Sequence, residues 1–203
     1  MLAVSAPLFC GVLLCAGASP VATATSLGTR SVTELSSVTE LKRSLLADVQ
    51  EQGPYRLTPE RRALLNTIRY AEGTWTDGEN KGYRILYGGS QFHDLSRHPQ
   101  KVVVNRYASA AAGAYQFLPA TWNGLAEELT LHSFEPRYQD QAALHLVKRR
   151  GALGEIDSRG LTRTAMARLA PEWASFPTRS GRSAYGQPVK SHRELVRFYE
   201  DNL

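Results

Sequence analysis

Residues 58–73 read Thr-Pro-Glu-Arg-Arg-Ala-Leu-Leu-Asn-Thr-Ile-Arg-Tyr-Ala-Glu-Gly, and this stretch sets the expectation for the whole domain. Thr58 is an N-cap residue, and Pro59 fits the first helical position, where no backbone donor is needed. Leu64, Leu65, Ile68 and Ala71 then recur at helical spacing. Glu72 lies four residues after Ile68 and eight after Leu64, so it continues the apolar face, and Gly73 ends the helix. A carboxylate on a core-facing helix end is costly unless it is paired or protonated. Desolvation and the negative end of the helix dipole both raise its pKa. The group is then a carboxylic acid still protonated near neutrality, which is what a glycosidase uses to protonate a leaving sugar oxygen. A helix-end glutamate bonded to a backbone amide or an arginine would occupy the same position, and the position alone leaves both readings open.

Outward from this helix, the signals remain mostly helical. A second helix is expected from Pro119, with Trp122, Leu125, Ala126 and Leu129 on one face. A third runs from Pro136 to Lys148-Arg149-Arg150-Gly151, cationic last-turn residues followed by a glycine stop. A fourth covers about Leu161 to Ala170. A fifth opens on Ser191-His192-Arg193-Glu194, a capping-box spacing, and carries Leu195, Phe198 and Tyr199. Between the first two helices, Tyr83, Ile85 and Tyr87 alternate with Arg84 and Leu86 before Gly88-Gly89, which predicts a short strand and a turn. The fold class expected is α+β: a helical body with a small β-hairpin region inserted.

The chain has 203 residues, 42% hydrophobic and 21% charged, with a formal net charge of +5, a composition that fits a globular protein. Residues 1–24 carry no charge, and the apolar run Leu8–Ala16 has the length of a signal-peptide core, too short for a comfortable membrane span. Cleavage is expected after Ala24, with Ala18 the second choice. No Lys or Arg precedes the run, so a retained signal anchor is the alternative. Cys10 and Cys15 both lie in this segment, so the processed chain has no cysteine for a disulfide, a thiolate nucleophile or a zinc site. Residues 25–57 are rich in Ser and Thr, repeat SVTEL at 31–35 and 37–41, and balance four basic against four acidic residues. They read as a linker or spacer. Residues 58–203 then form the catalytic domain and hold the net positive charge; about 146 residues bury roughly 68–70% of their unfolded surface, enough for a real core.

Several chemistries are absent. The five histidines form no HExxH or H-x-H pattern, and no GxSxG, Walker loop or GxGxxG occurs. The cluster Lys148-Arg149-Arg150 is explained by the helix end it closes, so no nucleic acid partner is expected, and neither a metal nor another cofactor is. Two further stretches are informative. Ala112-Gly113-Ala114-Tyr115-Gln116-Phe117 lets a ligand or another backbone approach closely, and a tight helix contact would look alike. Trp173, Ser175, Phe176, Tyr185, Gly186 and Gln187 fit sugar stacking and hydroxyl bonding as well as they fit core packing.

These motifs together resemble the lambda-phage endolysin family of peptidoglycan lytic transglycosylases. The residues that carry the resemblance are Tyr70–Thr74, Gly82–Gly89, Phe92–Val103, Ala112–Leu118, Phe134–Gly154, Trp173–Pro177 and Tyr185–Gln187, in the same order. It spans about Thr58 to Gln187. The resemblance implies a lysozyme-like fold, with the small β-region lining a cleft, and assigns the catalytic glutamate of its E-G-T motif to Glu72. It implies cleavage of the β-1,4 bond between N-acetylmuramic acid and N-acetylglucosamine, with closure of a 1,6-anhydro ring. It also places Tyr115 and Gln116 along the cleft near Glu72, with Tyr185 and Gln187 as further substrate-binding residues. The position after the hairpin tyrosine is acidic in many members and is Arg84 here, which removes one candidate second carboxylate. Asp77, Glu79 and Asp94 are the remaining acids in the region.

The expected partner is the peptidoglycan glycan strand. After cleavage of the leader the protein is expected as a monomer without stable membrane insertion, in the periplasm or cell-wall space. A lysozyme-type hydrolase of the same bond is the nearest alternative. A non-catalytic peptidoglycan-binding protein is the alternative of another class, and an amidase or peptidase lacks the ligand spacing or cysteine it would need.

Overall fold

The structure, a computed structural model, describes residues 53–203 together with the single position Glu40. The leader 1–24, both cysteines, the SVTEL repeat and most of the spacer lie outside the described residues. No helix among the described residues is long and apolar enough to cross a membrane.

Helix α1 (Pro59–Ala71) forms as its sequence predicts: the Thr58 side chain accepts from the Arg61 N–H, and Pro59 opens the first turn. It buries Ala63, Leu64, Leu65 and Ile68, each large aliphatic side chain contributing about 1.5–3 kcal/mol. A five-residue 3-10 helix follows at Asn80–Arg84. Strands β1 (Val103–Val104) and β2 (Ala108–Ser109) pair antiparallel, Val103 opposite Ser109. Four helices then build the body, α2 (Pro119–Leu129), α3 (Pro136–Arg149), α4 (Leu153–Arg159) and α5 (Arg163–Leu169), and α6 (His192–Glu200) packs back on α1. The α+β class stands: a mostly helical body with one small two-stranded sheet among the described residues.

Helix α3 is the centre. Every residue from Gln139 to Val147 is buried, so its polar side chains must find partners inside. Gln139 accepts from the Ala114 N–H at 2.8 Å and donates to the carbonyls of Tyr83 and Phe134. Gln141 binds both the N–H and the C=O of Tyr55, each at 2.8 Å. Tyr55, inside the stretch read as spacer, is 7% exposed and its hydroxyl meets His145 Nδ1, so packing on this domain reaches back to the described end of that stretch.

One local expectation is corrected, and one helix forms that the sequence did not announce. The strand expected around Tyr83–Tyr87 is the end of the 3-10 helix followed by isolated bridges, Ile85 to Gln91 and Leu86 to Ala112. The cause is Gly82: a Cβ there would lie 2.1 Å from the Thr74 carbonyl oxygen, and this close crossing turns the chain. The hairpin forms instead at 103–109. Helix α4 had no sequence signal. It has seven residues, and Ala152 at its N-cap offers no side-chain bond.

Candidate active site

Glu72 is the C-cap of α1. Gly73, at φ +72°, adopts the left-handed conformation; its N–H bonds the Tyr70 carbonyl, and the Thr74 N–H bonds the Arg69 carbonyl at 2.8 Å. This pair of bonds is the Schellman ending, which satisfies the last carbonyls of a helix. It fixes the direction in which Glu72 leaves the helix. Thr74 then anchors the turn, its hydroxyl donating to the Ala114 carbonyl at 2.6 Å.

That contact brings in the 112–117 loop. Ala112 and Phe117 exchange both backbone bonds, at 3.0 and 2.9 Å. Gly113, at φ +80°, faces Gln139 so closely that a Cβ would stand 2.2 Å from its Oε1. Gln116 is left-handed too, at φ +49°, a strained state for a side-chain-bearing residue, and such states cluster at functional sites. The third contributor is the segment after α5. The Trp173 indole N–H donates to the Tyr115 carbonyl at 3.2 Å. Two residues on, the Ser175 hydroxyl donates to Glu72 Oε1 at 2.5 Å.

The half-buried Glu72 carboxyl is pushed above the ordinary carboxylate range by burial, and the Ser175 hydroxyl pulls it back in part. Among the described residues the Ser175 hydroxyl is the one side chain hydrogen-bonded to this carboxyl, and no ion pair includes it. The other acids of the region have their own surroundings. Glu79 pairs with Lys81 at 2.8 Å on the surface, Asp94 accepts from the Ser96 N–H, and exposed Asp77 sits in a left-handed turn. Arg84 donates to the His93 carbonyl and so ties the 3-10 segment to the next loop.

The remaining predicted site residues separate. Tyr115 is corrected: it is 1% exposed, and its hydroxyl donates to Asp140 Oδ1 at 2.6 Å, so it buttresses the loop from inside and does not line a cleft. Gln116 is partly exposed, with its amide NH₂ engaged by the Ile85 and Gly113 carbonyls. Tyr185 is 62% exposed and donates to the Pro171 carbonyl; Gln187 is exposed. No hydrogen bond joins either to Glu72 or Ser175. Trp173 and Phe176 are core residues. Ser175 had been read only as a possible sugar contact, since sequence order gives no sign that a residue 103 positions away reaches Glu72.

Asp140 was not anticipated. It is 5% exposed and accepts from both Tyr83, at 2.8 Å, and Tyr115. Burial raises its pKa, and the two phenol bonds oppose that.

Comparison with known proteins adds three findings. The family model described as Endolysin matches residues 62–203. The chain is 39% identical over 133 residues to the endolysin of Escherichia phage lambda, covering 63% of this chain and 81% of that protein. It is 34% identical over 148 residues to the endolysin of Escherichia phage P2, covering 66% and 87%. Among solved structures, bacteriophage lambda lysozyme complexed with a chitohexasaccharide superposes with a TM-score of 0.66 at 35% identity, over 73% of this chain and 96% of that one.

Proposed function

The chain belongs to the endolysin family of peptidoglycan-degrading enzymes, and from that premise we propose that it cuts the glycan strand as a lytic transglycosylase with Glu72 as its one acid and base. The observation that carries this reading is the isolation of Glu72: a carboxyl raised by burial, bonded by one serine hydroxyl, and paired with no ionisable side chain among the described residues. Retaining and inverting hydrolases use two carboxyl groups, about 5–5.5 Å or 6.5–9.5 Å apart. A lone carboxyl suits a reaction in which the substrate supplies its own nucleophile.

The protonated Glu72 gives its proton to the bridging oxygen as the bond from C1 of N-acetylmuramic acid breaks, and N-acetylglucosamine leaves. The resulting carboxylate accepts the proton of the muramic acid 6-hydroxyl as that oxygen bonds C1. The 1,6-anhydro ring closes without water, and Glu72 is protonated again for the next cycle. Ser175 bonds Oε1 and leaves Oε2 to carry the proton. The sugar-oligomer complex of the lambda lysozyme relative supports a glycan as the ligand. Export by residues 1–24 with 25–57 as spacer completes the proposal, and N-terminal sequencing of exported protein tests it: an intact Met1 would contradict cleavage.

Mass spectrometry of products from purified glycan strands is the test of the reaction. Wild type should leave anhydro-muramic ends, and Glu72→Gln should leave the strands uncut. Free reducing ends would make the enzyme a lysozyme-type hydrolase, and unchanged turnover by the Gln variant would remove Glu72 from the chemistry.

A further inference from the structure

The Glu194 side chain at the start of α6 does more than complete its capping box. Ser191 Oγ accepts from the Glu194 N–H at 3.2 Å, and the Ser191 N–H bonds the Glu194 carboxylate in return. Glu194 Oε1 also accepts from the Tyr70 hydroxyl at 2.7 Å and the Lys190 ammonium at 2.8 Å. Tyr70 stands two residues before Glu72 on α1, stacked on Phe198 at 4.2 Å, with the Lys190 ammonium 4.4 Å from its ring centre. The Lys190 N–H, in turn, donates to the Ser175 carbonyl at 3.2 Å. The 175–190 segment therefore returns to α1 twice: through the Ser175 hydroxyl on Glu72, and through Lys190 and Glu194 on Tyr70.

We propose that Glu194, acting through Lys190 and Tyr70, is a positioning residue that holds the backbone of Ser175 in register so that its hydroxyl stays on Glu72. The proposal rests on the reading of Glu72 as the acid. The other charged or titratable groups around Glu72 have their own partners: Arg69 lies between Trp75 and Tyr83 and donates to the Glu79 carbonyl, Glu79 pairs with Lys81, Glu172 with Arg150, and Tyr115 with Asp140.

The sign of a titration separates positioning from charge. The Ser175 bond favours ionised Glu72, so its loss moves the Glu72 titration to higher pH. Removing the Glu194 charge, and leaving Lys190 unopposed, would by through-space electrostatics alone favour ionised Glu72 and move it to lower pH. The experiment is ¹³C NMR titration of the Glu72 carboxyl, with the pH profile of kcat/KM on glycan strands, in wild type, Glu194→Gln, Tyr70→Phe, Ser175→Ala and the Glu194→Gln/Ser175→Ala double variant. Glu194→Gln should move the titration and the alkaline limb upward, in the same sense as Ser175→Ala. The double variant should move them no further than Ser175→Ala, since both act through one bond. On the acidic plateau, kcat should fall about three- to tenfold with KM within about twofold, the scale of one hydrogen bond. Tyr70→Phe, which keeps the ring stack, should shift in the same direction by less and stands in if Glu194→Gln folds poorly. A downward or absent shift, or additive shifts in the double variant, would overturn the proposal. Because the carboxyl titrates in inactive protein too, a Glu72→Gln enzyme that still turns over would defeat the catalytic reading and leave the positioning result to be judged separately.

Discussion

Two carboxyl groups in this domain are taken out of water, and they are held differently. Asp140, on the central helix, accepts two tyrosine hydroxyls, one from the 3-10 segment and one from the 112–117 loop. Glu72, at the end of α1, accepts one serine hydroxyl and keeps its second oxygen unbonded. Burial raises both. Both phenols bond Asp140 Oδ1, so each carboxyl has one oxygen with no hydrogen bond among the described residues. The difference lies in what fixes and covers each group: two tyrosines from separate segments lock Asp140 inside the core, at 5% exposure, whereas Glu72 is half-buried and held by one hydroxyl. Burial alone therefore does not separate a structural acid from the proposed reactive one; access does.

Substitutions can break this contrast at either end. The largest effect is expected at Glu72: Glu72→Gln should lower kcat about 10²–10⁴-fold, the usual contribution of a general acid–base, in a protein whose circular dichroism is unchanged. Next comes Asp140→Ala, which strands two buried phenols and should lower unfolding stability by about 2–4 kcal/mol in urea titration. Activity per folded molecule should fall far less than for Glu72→Gln. Tyr115→Phe should lower stability by about 1–2 kcal/mol with KM nearly unchanged. A large rise in KM would restore Tyr115 to the cleft.

A smaller effect appears in the pH dependence of stability. A carboxyl whose folded pKa is raised disfavours the fold as soon as the unfolded chain ionises, so this penalty is absent below the ordinary carboxylate range, grows as pH rises from there, and is complete above the folded value. Glu72→Gln should therefore raise the melting temperature by a few degrees at neutral pH, and the gain should vanish in acid. Smallest of all, binding to cell-wall glycan should weaken as salt rises, since the domain is net positive; a flat response would remove long-range attraction from the account.

The parts of this contrast differ in how legible they were in the sequence. Helix α1 and its cap, the glycine stop after Glu72, and helices α2, α3, α5 and α6 follow from local chemistry that a single segment displays. Helix α4 was missed because seven residues without a capping side chain carry no such signal. The strand expected at Tyr83–Tyr87 failed because Gly82 passes against Thr74, a crossing set by tertiary packing. Glu72 stood out because a charge interrupted an apolar stripe. Asp140 and Ser175 did not, since their meaning depends on partners that are distant along the chain. For the same reason an aromatic beside a small-residue loop, Tyr115, read as a surface and proved to be a buttress.

The central claim, a single acid–base that needs no water, is tested most directly by digesting purified glycan strands in ¹⁸O-enriched water and weighing the new ends. Anhydro-muramic ends that carry no ¹⁸O are expected. New reducing ends labelled with ¹⁸O would contradict it, because water would then have entered where the 6-hydroxyl is held to act.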